Sequence, residues 1–315
     1  MAFSVKIQQA ENASGIKTIC LRNEEKYEAE IYSFGALLNN FSIQTPGNKI
    51  NIIDGYHSVQ EAMEDIKNGF RSAKLSPFVC RLNRGIYEFD GLQHTIRKHY
   101  IKESAIHGLL FDAQYEITDF GSDDQMAFVQ LQFHYTKKDE GFPFEYLMQV
   151  RYSLKERGNL EIISTVTNTG IQEMPLSDGW HPYFSLGGMV NDQILQINAD
   201  KKMVFNEHLI PTGETEDMVR FKRAEQIGET EMDNCFKLRA IAAFGLCLSN
   251  PANGLKLTVH PDASYPYLQI YIPPDRKSIA IECLSSPPDS FNNLIDLIVL
   301  QPGGTKTFTT NYHIS

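Results

Sequence analysis

Hydrophobic and polar residues alternate along much of the chain. Over residues 127–135, Ala127, Val129, Leu131, Phe133 and Tyr135 share one side of an extended backbone, while Gln130, Gln132 and His134 share the other. Tyr146, Met148, Val150, Tyr152 and Leu154 repeat the alternation, as do Leu255, Leu257 and Val259. Successive side chains of a strand point to opposite faces, so each run predicts a strand with one buried face. Turn-forming clusters at residues 138–141, 156–159 and 251–254 separate such runs. Their recurrence predicts an all-β fold, a large antiparallel sandwich.

One stretch departs from period two. Val59, Ala62, Met63, Ile66 and Phe70 recur at three- and four-residue steps. That spacing predicts a short helix of about three turns near residues 58–70. Ser58 followed by Glu61 has the spacing of a capping box. No internal repeat, low-complexity tract or Pro/Gly/Ser-rich linker divides the sequence. Residues 206–231 are polar and acidic, with strand patterns on both sides. They are expected to form a surface excursion of one domain spanning residues 1–315.

Charge narrows the function classes. Lys and Arg number 29 and Asp and Glu 39, so the formal charge is 29 − 39 = −10. Nucleic acid and anionic membranes bind clustered cations, so both are disfavoured as partners, whereas a neutral small molecule fits. With 42% hydrophobic residues, the chain has material for a core and wholesale disorder is excluded. The N-terminus lacks a basic start leading into an apolar stretch. No apolar run approaches the roughly 20 residues of a membrane-spanning helix. Five cysteines without a CxxC pattern predict reduced thiols and a cytoplasmic location. Oligomeric state is left open.

Familiar catalytic signatures are missing. The sequence has no GxGxxG, Walker loop, GxSxG or HExxH. His94 and His99 are five apart, which turns them to opposite faces of a strand. Nine histidines without ligand-like spacing predict no metal and no cofactor. Three clusters remain: SPFVCRLNRGIYEFDG with AIHGLL around His107, SDGWHPYFSL around His181, and SIAIECLSSPPDSFNN around Glu282. Taken singly, a histidine before Gly or Pro suits a turn, a single Arg suits the surface, and a strand Glu suits a solvated face. Together they supply imidazole and carboxylate, which suffice for general acid–base catalysis. Glu282 lies between Ala280 and Leu284 on one strand face, which suggests an enclosed carboxylate. Residues 273–278, PPDRKS, form a turn candidate. A symmetric register about it sets Gln269 opposite Glu282.

Taken in order, these clusters resemble the aldose 1-epimerase, or galactose mutarotase, family. CRLNRG resembles its Asn-Arg-Ile-x-x-Gly segment, followed by a short strand and Asp-Gly. On that match Arg81, not Arg84, falls at the substrate-binding arginine, and Cys80 stands where asparagine is common. IHGLL sets His107 in the family's Leu-His-Gly segment, and HPYF sets His181 in its His-x-Tyr-Phe segment. MDNCF places Asp233 and YPYLQIY places Gln269 at sugar-binding positions. IECLSSPPDSFN resembles Glu-x-x-x-x-Pro-Asp-x-x-Asn and places Glu282 at the catalytic base.

The resemblance implies a galactose-mutarotase-like β-supersandwich and a cofactor-independent isomerase. Its substrate would be a cyclic aldose, with a neutral hexose expected from the charge balance. Glu282 would act as base and His181 as acid. Arg81 and His107 would hold the ring-oxygen side, and Asp233 and Gln269 the hydroxyls. An acidic limb in the pH profile would then reflect loss of ionised Glu282, and an alkaline limb loss of protonated His181. Trp180, Tyr183 and Phe184 are aromatic faces available either to a sugar or to the core. The alternatives are a non-catalytic carbohydrate-binding protein and a glycoside hydrolase, which usually needs two flanking carboxyl groups.

Overall fold

The structure is a computed structural model that describes residues 2–23, 26–239 and 244–315. The alternating runs pair as antiparallel neighbours. Met126–Thr136 lies beside Glu145–Lys155, which lies beside Asn159–Asn168. Ala127, Val129, Leu131 and Tyr135 are buried on the same face as Tyr146, Met148, Val150, Tyr152 and Leu154. Phe133 stays partly exposed at the edge of that core. Among the described residues, nine strands make up this sheet and eight make up a second.

The second sheet packs on the first through one face of Ile279–Leu284. Ile279, Ile281 and Cys283 enter the inter-sheet core, and Cys283 Sγ sits 3.4 Å from Thr310 Oγ1 of the facing strand. Phe184 meets Tyr312 and Tyr265 meets Phe308 across the same layer. Removing these apolar faces from water is the main force holding the sheets together. The opposite face, carrying Glu282, is thereby turned away from the sandwich core. A five-stranded antiparallel sheet over residues 3–51 adds Ile19, Leu21, Ile31 and Phe41 to the same core. The result is an all-β sandwich, as the periodicity predicts.

One expectation needs correction. The helix covers only Val59–Asp65. Ser58 Oγ accepts the Glu61 N–H at 3.1 Å, but the Glu61 carboxylate accepts from the His57 N–H rather than from Ser58. Gly69 at φ +124° and Phe70 at φ +57° leave the helical region, so Phe70 is buried by a turn instead of a third helical turn. Met63, counted on the apolar stripe, is exposed. The acidic segment contributes two edge strands. Pro211–Asp217 pairs with Ala199–Phe205, and Glu225–Gln226 edges the nine-stranded sheet. Lys201–Asp217 and Lys202–Glu216 pairs at 2.7 Å line the edge of the eight-stranded sheet, where Pro211–Asp217 lies, and edge charges discourage pairing with another chain.

An ion pair is sealed between the sheets. Lys74 Nζ donates to Asp178 Oδ1 at 2.5 Å and to Ser164 Oγ at 3.0 Å, and Tyr265 Oη donates to the same carboxylate oxygen at 2.6 Å. Lys74 lies over the Trp180 ring, 4.4 Å from its centroid. Burial brings the Lys74 ammonium down to about 8 and pushes the Asp178 carboxyl up. The five cysteines carry free thiols, and among the described residues no helix is long and apolar enough to cross a membrane.

Candidate active site

Three adjacent strands of the eight-stranded sheet bring the polar residues together. Gln269 pairs with Glu282 across the Tyr267–Tyr271 and Ile279–Leu284 strands, the register expected from the PPDRKS turn. On the other side Cys235 pairs with Gln269, and Asp233 with Tyr271. Period two therefore sets Asp233, Gln269 and Tyr271 on the face that carries Glu282, and Gln269 Nε2 donates to Asp233 Oδ1 at 2.6 Å.

The histidines and Arg81 arrive from the neighbouring elements. His181 ends the strand Gly179–His181, whose partner Ala73–Leu75 lies at the sheet edge. Arg81 opens a two-residue strand paired with Ser104–Ile106, and His107 follows directly. The His107 N–H donates to the Cys80 carbonyl at 2.8 Å. Gly108, at φ +75°, lets the chain pass so close to Ser76 that a Cβ there would lie 2.3 Å from the Ser76 carbonyl oxygen. Only glycine accommodates both demands.

All six residues singled out in the sequence line one cleft of about 280 Å³: Arg81, His107, His181, Asp233, Gln269 and Glu282. Arg84 is exposed in the turn Asn83–Gly85, at φ +53°. His181 Nε2 stands 3.3 Å from Glu282 Oε1, with the two side chains 6% and 2% exposed. The His107 ring meets His181 edge-on at 4.9 Å, Tyr183 stacks on His181 at 5.0 Å, and Phe70 closes over His107 at 4.5 Å.

Burial controls the protons here. It pushes the Glu282 carboxyl well above the carboxylate range, and the neighbouring Asp233 charge adds to the shift. Burial also brings the His181 imidazole down to about 4 and holds His107 well below its ordinary value. Asp233 is raised by burial against the pull of Arg81 and the Gln269 hydrogen bond. Burial thus disfavours the ionised form of Glu282 and the protonated form of His181 alike, since removal from water penalises either charge.

Residues 17–313 match the family described as Aldose 1-epimerase. The chain belongs to this family. The uncharacterised protein YihR of Escherichia coli (strain K12) is 27% identical over 286 residues, covering 88% of this chain and 87% of its own. A galactose mutarotase-like protein from Clostridium acetobutylicum superposes with a TM-score of 0.87 at 20% identity, over 100% of this chain and 99% of its own. The galactose 1-epimerase of Lactobacillus acidophilus NCFM superposes with a TM-score of 0.83 at 18% identity, over 99% and 98% of the two chains. At these identities the likeness is one of fold, and the fold is galactose mutarotase-like.

Some of the cleft lies outside the expected set. Phe70, Cys80, Tyr183, Phe205, Leu209 and Tyr271 also line it. Period two could have found Tyr271, two residues beyond Gln269. Leu209 comes from the acidic segment and carried no signal. Of the three aromatics weighed for sugar stacking, Tyr183 faces the cleft, while Trp180 and Phe184 belong to the inter-sheet core. The structure also brings Cys80, His107 and Glu282 together, a grouping that sequence spacing gave no reason to expect.

Proposed function

We propose that this chain is an aldose 1-epimerase that interconverts the α and β anomers of a cyclic aldose. The observation that carries this reading is the buried contact of His181 with Glu282, 3.3 Å apart on the wall of the cleft. Ring opening needs one proton removed from the C1 hydroxyl and one delivered to the ring oxygen. Both oxygens are bonded to C1, so an adjacent base and acid reach both. Glu282 takes the hydroxyl proton while His181 supplies one to the ring oxygen. The C1 aldehyde rotates, and the transfers reverse on its other face.

Ring opening begins with charged Glu282 and His181 and ends with both neutral, one proton on the pair throughout. Burial penalises the charged pair from which this step starts and favours the neutral pair in which it ends. Arg81 and His107 hold the ring-oxygen side, and Asp233 and Gln269 hold hydroxyl groups.

The test is anomer exchange by NMR over a panel of neutral hexoses and their 6-phosphates, which also reads the substrate class. Saturable exchange above the buffer rate supports the reading. Sugar binding without exchange on any member would replace it by a carbohydrate-binding protein, and release of phenol from an aryl glycoside by a hydrolase.

Two further outcomes are expected. Arg81→Ala lowers kcat/KM by roughly 10²-fold, the usual cost of one donor aimed at developing charge, whereas Arg84→Ala stays near the wild-type rate. Equal rates in the two folded variants would misplace the motif by one arginine. The pH profile is bell-shaped because activity needs one proton on the pair. The acid limb falls near pH 4, where His181 takes up a second proton. The alkaline limb lies well above the ordinary Glu range, where the pair loses its only proton. Both limbs belong to the coupled pair. Rates measured across pH check this, and a rate that rises monotonically into alkali would contradict it.

A further inference from the structure

The cleft wall carries a juxtaposition that acid–base chemistry does not use. Cys80 Sγ lies 3.6 Å from Glu282 Oε2, the carboxylate oxygen not facing His181. Cys80, His107 and Glu282 each offer a ligand-type atom within 4.8 Å of the others, and all three are buried. His107 Nδ1 is buried with no hydrogen-bond partner among the described residues. The backbone fixes two of the three. Cys80 and His107 sit in the left-handed region, at φ +48° and +61°, tied by the hydrogen bond between them. Non-glycine residues persist there only when their surroundings impose it, most often at functional sites.

We propose that Cys80, His107 and Glu282 form a site for a thiophilic divalent cation of the Zn²⁺ type. A tetrahedral ion with bonds of about 2.3 Å to sulfur and about 2.0 Å to oxygen sets those two atoms about 3.5 Å apart. The Cys80–Glu282 separation of 3.6 Å already matches that edge. Thiolate and carboxylate together neutralise a dication, with the imidazole as a neutral third ligand. Forming the bonds to sulfur and to the carboxylate sends the Cys80 proton, and any proton held by Glu282, to solvent. A fourth position opens onto the cleft, as in sites with three protein ligands. Hard cations such as Mg²⁺ and Ca²⁺ prefer all-oxygen shells and are excluded by the thiol.

One consequence rests on the epimerase reading. A Glu282 lone pair bound to metal is not available to the sugar hydroxyl, so the metal-loaded form is inactive and the ion acts as a reversible inhibitor. Cys80 is the switch element, since it binds the metal but transfers no proton in the reaction.

Co²⁺ added to the intact chain tests the site independently of activity. We expect one equivalent to bind with a near-ultraviolet thiolate-to-cobalt charge-transfer band that Zn²⁺ abolishes and Mg²⁺ does not. Cys80→Ser and Cys80→Ala, each checked for folding by circular dichroism, should lose the band, although Cys20, Cys235, Cys247 and Cys283 remain. Affinity should fall at least roughly 10–100-fold, the loss seen even for residues one step removed from a metal. In anomer exchange, Zn²⁺ should inhibit the wild type and leave each Cys80 variant near its own metal-free rate. Absence of the band, or its persistence in both folded variants, overturns the site. A Cys80-dependent band in a chain without anomer exchange keeps the site and overturns the epimerase reading. Exchange without a band does the reverse.

Discussion

Glu282→Gln is expected to lower kcat by roughly 10²–10⁴-fold with sugar affinity little changed, and His181→Asn is expected to do the same. Glutamine keeps the size of Glu282 and its capacity to hydrogen-bond but has no basic carboxylate. Asparagine keeps a polar group at 181 but cannot pass a proton at accessible pH. Each variant loses an interaction made mainly in the transition state, and such a loss appears in kcat rather than in binding. Because the two groups hand one proton between them, the double variant should be little worse than either single one. Line-shape or saturation-transfer NMR on a saturating sugar gives kcat, and calorimetric titration gives the affinity. Near-wild-type kcat in either folded variant would remove that residue from the proposed pair. Multiplicative losses in the double variant would mean that the two act separately.

Much of this geometry was legible because β-structure reports itself at period two. The same alternation that marked Ile279, Ile281 and Cys283 as one face left Glu282 on the other. A turn at PPDRKS was enough to bring Gln269 opposite it. Legibility failed where contacts join segments far apart in the chain. Cys80 and Glu282 are 202 residues apart, and no spacing rule reaches across that distance. The helix was overestimated because Phe70 continues the apolar stripe in sequence, although Gly69 has already turned the backbone out of the helix. The penalty that burial places on charge at Glu282 and His181 was also hidden. It depends on how completely the cleft excludes water, and burial is a property of the whole packed sandwich rather than of the local sequence.

Lys74→Met is expected to cost about 3–5 kcal/mol of folding stability, because it leaves the Asp178 carboxylate buried without its cation. Both side chains are 0% exposed, so solvent cannot compensate for the lost partner. Tyr265 continues to donate to Oδ1, but Oδ2 has no partner among the described residues. In the wild type, burial raises the Asp178 carboxyl while Lys74 pulls it back down. Removing Lys74 therefore raises it further. A carboxyl raised in the folded state binds its proton more tightly there than in the unfolded chain, so stability falls as pH rises above the unfolded value. The deficit of Lys74→Met relative to wild type should thus be smaller at pH 5 than at pH 8. Lys74→Met combined with Asp178→Leu should recover most of the loss, since an apolar pair carries no desolvation penalty. Urea unfolding at both pH values measures all three proteins. A Lys74→Met deficit below about 1 kcal/mol, the range of a surface pair, would show that the pair is not sealed from water. The site feels this pair through the backbone: Trp180, which lies under the Lys74 ammonium, immediately precedes His181, and Ala73 pairs with His181. If the double variant regains stability but not kcat, the ion pair serves to set His181 against Glu282. If it regains both, shape alone is enough to hold the strand.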